Sequence, residues 1–206
     1  MPILKIARMG HPILNQRAEA VPDPTAPEVA RLVAAMIETM EDADGTGLAA
    51  PQVHMPWRIV VYKVMAERAE AEEGAEGDSE SEEVPTTALI NPVIEPLGEE
   101  TNVAFEACLS VPDMAGPVRR FSHIRLTYQT LAGETVSREA EGFHARVLQH
   151  ECDHLDGVLY PMRVEDMRQF GFVDALGKGQ GMPESADEGS EDSEGDVEEL
   201  GDVAAG

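Results

Sequence analysis

The sequence predicts an α+β domain in which a small mixed or antiparallel sheet packs around a C-terminal helix. Three observations carry this reading. Two segments space their apolar residues as helices do, four runs between them read as strands, and the order is helix, strands, helix rather than an alternation of the two. With 206 residues, 42% of them hydrophobic, the chain is long enough for one domain with a sizeable core. No internal repeat is apparent.

The first helix is read from "PEVARLVAAMIETMEDADG", where Val29, Leu32, Val33, Met36, Ile37 and Met40 recur at intervals of three and four. A Pro-rich turn starts it and Gly45 marks its end. The strand-like runs are "RIVVYKV" at 58–64, "TALINPVI" at 87–94, "IRLTYQT" at 124–130 and "TVSREAEG" at 135–142, the last two joined by the turn residues "LAGE". A second helix is expected over about 143–156. There "FHARVLQHECDHL" sets Phe143, Val147 and Leu148 in helical register and Gly157 follows as a stop.

The net charge of −25 is concentrated in two places. Residues 65–84 hold nine acids and one base, and residues 178–206 hold ten acids and one lysine. Both are rich in Glu, Ser, Gly and Ala and lack aromatics, so they cannot bury enough apolar area to offset the entropy of ordering. They are expected to be a disordered insertion and a disordered tail on a catalytic domain spanning 1–177. The insertion falls between two predicted strands, where a longer loop costs little entropy, so it interrupts one domain rather than dividing two. The acidic balance disfavours direct contact with nucleic acid phosphates. No window is apolar for long enough to cross a membrane, and "MPILKIARMG" does not read as a signal peptide. The cytoplasm is the expected compartment, with Cys108 and Cys152 reduced or on a metal rather than joined.

The chemistry centres on "LQHECDHLDG" at 148–157. Four residues advance a helix by about 400°, so His150 and His154 lie about 40° apart on one face and reach one ion, with Glu151 at the edge of that face. Such an arrangement lets two imidazoles hold a divalent metal while the carboxylate handles the proton of a water. The bland alternative is a helix whose histidines only pack. A third ligand is needed, and several residues compete for that place. Cys152 lies about 200° around the helix from His150 and faces away. Glu165 and Glu184 lie downstream, where a zinc protease of this motif draws its third ligand. Cys108, in "FEACLSVP" just before a strand, offers a thiolate from upstream.

"GTGLAAPQ" at 45–52, "EACLS" at 106–110 and "QHECDHLDG" at 149–157 together resemble, in order, the three motifs of the peptide deformylase family, G-x-G-L-A-A-x-Q, E-G-C-L-S and Q-H-E-x-D-H. The resemblance covers most of residues 1–170, including "GHPIL" and "DHLDGVLYPMRV". It implies a metal held by Cys108, His150 and His154 with water as fourth ligand, iron(II) by nature with nickel, cobalt or zinc accepted, and Glu151 as general base and then acid. It implies further that Gln52 and the Leu109 N–H stabilise the developing oxyanion. Gly45 and Gly47 would let an extended peptide approach closely, and Val147, with Ala104 and Phe143 beside it, would wall the pocket of a methionine side chain. The implied substrate is the formylmethionyl N-terminus of a nascent polypeptide, in a bacterial cytoplasm rather than an organelle.

The chain departs from the pattern where the usual Gly before the cysteine is Ala107, and where many members carry Arg but this chain has Ala115. Arg119 or Arg120 is the expected substitute for that basic contact. Two other readings compete: a zincin-type metalloprotease, and a paralogue that binds N-terminal peptides with little or no turnover.

Overall fold

A computed structural model describes residues 2–65 and 83–176. The acidic tail, and the acidic run apart from its ends, lie outside the described residues.

The first helix, α1 (Pro27–Asp42), begins with a proline at its first position, where the missing N–H costs no hydrogen bond. It closes with the Gly45 N–H donating to the Met40 carbonyl at 2.8 Å. A five-stranded antiparallel sheet follows, built from β1 (Gly47–Ala49), β2 (Ile59–Val64), β3 (Val84–Pro96), β6 (His123–Gln129) and β7 (Thr135–Glu141) in the order β1-β2-β3-β6-β7. Between β3 and β6 the chain leaves to form a long hairpin, β4 (Thr101–Cys108) and β5 (Val111–Phe121), joined at its far end by the two-residue β8 (Gly171–Phe172). The motif helix α2 (Gly142–Leu155) follows β7, and a short helix α3 (Val173–Leu176) follows β8.

Strand β2 explains how the layers stack. Alternate side chains of a strand point to opposite faces. Accordingly Ile59 and Val61 pack with Val29, Val33, Met36 and Met40 of α1, while Val60, Tyr62 and Val64 pack with Ala145, Val147, Leu148 and Leu155 of α2. The five-stranded sheet is thus covered by a helix on each face, and β2 is apolar apart from Lys63. α2 is buried on nearly every side, from His144 to Leu155, because the β4–β5 hairpin covers what the large sheet does not. Strands β2 and β3 pair as far as Val64 and Val84, so the acidic run is inserted between the ends of adjacent strands.

The four expected strands and both helices appear with shifts of one to three residues at most ends. The expected single sheet is instead two antiparallel ones. The difference lies in β4 and β5, whose burial does not alternate cleanly and whose second strand contains Pro112, Gly116 and Pro117, residues that weaken a strand signal.

Because Leu148 is fully buried between the large sheet and the motif helix, Leu148→Ala is expected to cost about 2–5 kcal/mol in a urea unfolding titration. Val93→Ser, at a position 56% exposed on β3, should stay within about 0.5 kcal/mol in the same titration.

Candidate metal centre

Cys108 is the last residue of β4, and His150 and His154 lie one turn apart on α2. Their ligand atoms all fall within 4.8 Å of one another, the one group of this kind found among the described residues. Cys108 Sγ is 3.3 Å from His154 Nε2. The thiol reaches the helix because the β4–β5 register slips after Ala107, so that Cys108 pairs with Val111 across the tight turn Leu109–Ser110. The Ser110 N–H donates back to Sγ at 3.4 Å. Burial opposes charge on Cys108, but the two histidines outweigh it and hold the thiol well below its usual range. A thiolate with two imidazoles is the three-ligand set that suits a divalent ion.

Glu106, two residues before Cys108 in β4, is buried and faces the same helix. Its Oε2 accepts the His150 Nδ1–H at 2.8 Å. That bond fixes the proton on Nδ1 and leaves Nε2 to face the centre. The same carboxylate accepts from Arg120 through Nε at 2.8 Å and Nη2 at 2.9 Å. Arg120 Nη1 continues to Asp153 at 2.6 Å, and Arg163 closes on Asp153 at 2.5 Å. Burial alone would push the Glu106 carboxyl up, but Arg120 and His150 reverse it and keep it ionised far below the ordinary carboxylate range. Sequence reading passed over Glu106, although its place two residues before Cys108 in a strand was the available signal.

Glu151 is buried beside the cluster, and its Oε2 meets no hydrogen-bond partner. Burial pushes its pKa up to about 7. An orphaned carboxylate oxygen next to a thiolate and two imidazoles fits a site built for an ion and a water. Gly47 makes room for it: a Cβ there would stand 2.7 Å from Glu151 Cγ, too close for any other residue. Gly47, read from the sequence as a point of peptide approach, is therefore also the seat of the Glu151 side chain. A Cβ on Gly45 would meet Leu109 Cδ1 at 3.0 Å.

Gln52 sits in a short 3-10 turn, Ala50–Val53. Its Oε1 accepts the Ala49 N–H at 2.8 Å, which turns Nε2 toward Ser110 Oγ at 3.1 Å and Cys108 Sγ at 3.6 Å. The amide donor is thus aimed into the centre. Ser110, fully buried and unremarked in the sequence, is the residue that receives it. Val147 is 7% exposed and packs in the core with Phe143, while Ala104 is half-buried on β4.

Other expectations resolve differently. Arg120 does not stand in for a basic contact to a peptide, because it is buried and committed to Glu106 and Asp153. Arg119 is exposed and pairs with Glu165 at 2.9 Å, which also removes Glu165 from the ligand set. Glu184 lies outside the described residues. Ala115 is buried, paired with Ala107 on β4 and Gly171 on β8. Cys152 is buried away from the cluster, its thiol pushed up by burial. The thiol that joins the two histidines is upstream of α2, and no downstream acid among the described residues joins the group.

Comparison with known proteins agrees with this geometry. A model of the polypeptide deformylase family matches residues 3–170. Peptide deformylase 1 of Nitrosomonas europaea is 44% identical over 178 residues, 86% of this chain and 97% of that protein. A class I type b peptide deformylase from Acinetobacter baumannii has a TM-score of 0.71 at 33% identity, covering 80% of this chain and 100% of that one. The same enzyme solved with Met-Ala-Ser bound has a TM-score of 0.69 at 32% identity, with 79% and 100% covered. Since the matched span takes in the five-stranded sheet, the β4–β5 hairpin with Cys108 and the motif helix with His150 and His154, the chain belongs to the polypeptide deformylase family of metal-dependent hydrolases.

Proposed function

We propose that this chain hydrolyses the N-formyl group from formylmethionine at the N-terminus of newly made polypeptides, releasing formate and a free amine. The observation that carries the proposal is the Cys108, His150 and His154 cluster with the unpartnered Oε2 of Glu151 buried beside it, in a chain of deformylase sequence. Cys108, His150 and His154 would hold one divalent ion, iron(II) natively, with zinc, nickel or cobalt able to replace it. That ion supplies Lewis acidity, lowering the pKa of a water and polarising the formyl carbonyl.

The remaining steps belong to the chain. Glu151, poised near pH 7 by burial, takes a proton from the attacking water and delivers it to the departing nitrogen. As charge develops on the formyl oxygen, the Gln52 amide and the Leu109 N–H donate to it, each such donor being worth about 3–4 kcal/mol. An extended peptide lies between Gly45–Gly47 and the 108–112 segment, held by main-chain hydrogen bonds that do not read its side chains. Its leading methionine enters a pocket walled by Val147. The Acinetobacter relative solved with Met-Ala-Ser supports this class of ligand. The acidic surface leaves nucleic acid phosphates out of the reading, and no helix among the described residues is long and apolar enough to cross a membrane. The bacterial cytoplasm is the proposed place of action.

Three experiments test these assignments. Incubation of Cys108→Ala with formyl-methionyl peptide should show formate release and bound metal falling together, since two imidazoles alone hold an ion poorly, whereas Cys152→Ala should change neither. Survival of both in the first variant would remove Cys108 from the ligand set. Glu151→Gln should keep the metal and lose turnover by at least about 100-fold in single-turnover assays, the lower end of general acid–base effects. Wild-type turnover there would show that no base is needed. Deleting 67–83 and 179–206 in separate proteins should leave formate release close to the original rate, because neither removes a motif. A large loss of turnover at unchanged melting temperature would give an acidic run a role at the site.

A further inference from the structure

Arg146 stands one turn before His150 on α2, and its guanidinium is buried. Nη1 donates to Glu106 Oε1 at 2.9 Å and to the Val118 carbonyl at 2.9 Å. Nη2 donates to the Asn102 carbonyl at 3.2 Å and makes a short bond to Asn102 Oδ1. Residues four apart on a helix lie one above the other. Arg146 and His150 therefore grip one carboxylate from successive turns, Arg146 on Oε1 and His150 on Oε2. Glu106 in turn lies two residues before Cys108 in the same strand.

From this arrangement we infer that Arg146 is a positioning residue for the metal centre, setting the spacing between the histidines of α2 and the cysteine of β4. The argument is one of registry. α2 packs on the large sheet through its apolar residues, whereas Cys108 belongs to the other sheet, so apolar packing alone does not fix one against the other. Arg120 grips Glu106 in a fork but belongs to β5, the partner strand of β4, and reaches α2 only through Asp153. Arg146 is the guanidinium that leaves the helix itself and ends on both strands of the hairpin, at Asn102 and Glu106 of β4 and Val118 of β5. A planar fork with several fixed donors can hold three such acceptors together, and a lysine ammonium on its flexible stem cannot. The inference rests on Cys108, His150 and His154 binding a divalent ion.

The test uses the full chain loaded with cobalt(II), whose visible absorption reports the geometry of its ligands. Arg146→Met and Arg146→Lys are compared with wild type and with Asn102→Ala, which removes one Arg146 acceptor but leaves Glu106 alone. Arg146→Met is expected to change the cobalt spectrum and to lose the ion to a chelator about 10-fold faster, the lower end of the range for groups that orient a ligand. Arg146→Lys should fall between it and wild type. Asn102→Ala should lower the melting temperature while keeping the wild-type spectrum. If Arg146→Met does not fold, the same readings on Arg146→Lys decide the matter. A wild-type spectrum and chelation rate in the folded Arg146 variants, with or without a lower melting temperature, would reduce Arg146 to a structural bolt. So would an equal spectral change in Asn102→Ala. Failure of the wild-type chain to bind cobalt at all would instead overturn the metal assignment.

Discussion

The Glu106 carboxylate is the constraint around which the centre is arranged. It is buried, and a buried charge persists only when it is paired and hydrogen-bonded. Here one carboxylate answers two arginines and a histidine drawn from a strand and a helix. The imidazole tautomer of His150, the approach of β4 to α2 and the placement of Cys108 all follow from satisfying that group. Were Glu106 neutral, Arg120 and Arg146 would be left as buried cations without their shared partner, and His150 Nδ1 would lose its acceptor. The ionic cluster thus makes the sheet–helix interface specific where apolar contacts would tolerate sliding.

A different economy governs the reactive side of the helix. Glu151 is left without a hydrogen-bond partner at Oε2, in a place where the same chain satisfies Glu106 four times over. Two carboxylates forty-five positions apart in sequence are driven in opposite directions, one kept charged and one raised toward neutrality. Environments that push two such groups apart are how one fold provides both an anchor and a proton carrier. Gly47 belongs to this side of the design, since its missing side chain is the space the Glu151 side chain fills.

Much of this was legible in the sequence because it depends on short-range periodicity. The two histidines four apart, the paired faces of α1, and the alternating run of β2 each declare themselves within a dozen residues, and the three motifs name a family. Glu106, Arg120, Arg146 and Asp153 were not legible because their meaning lies in contacts across 14 to 44 residues of chain, and a charged residue in a strand reads by default as solvated. Strands β4 and β5 were obscured by prolines and a glycine that suit an edge hairpin. Arg120, expected from the sequence as a substitute basic contact to the peptide, has its partners on the neighbouring strand and the motif helix.

Cys108 and His154 are 46 residues apart and meet where the smaller sheet approaches α2. Hairpins close locally and early, while contacts of long sequence separation must wait for the loop between them to be closed. The centre therefore forms only once the β4–β5 hairpin and α2 have met. Until it does, the thiol of Cys108 lacks the imidazoles that later stabilise it and the ion that would occupy it, and it is open to solvent and to oxidants. The redox surroundings in which this chain matures thus bear on whether the centre can form, for a cysteine oxidised before closure would reach the helix unable to serve as a ligand.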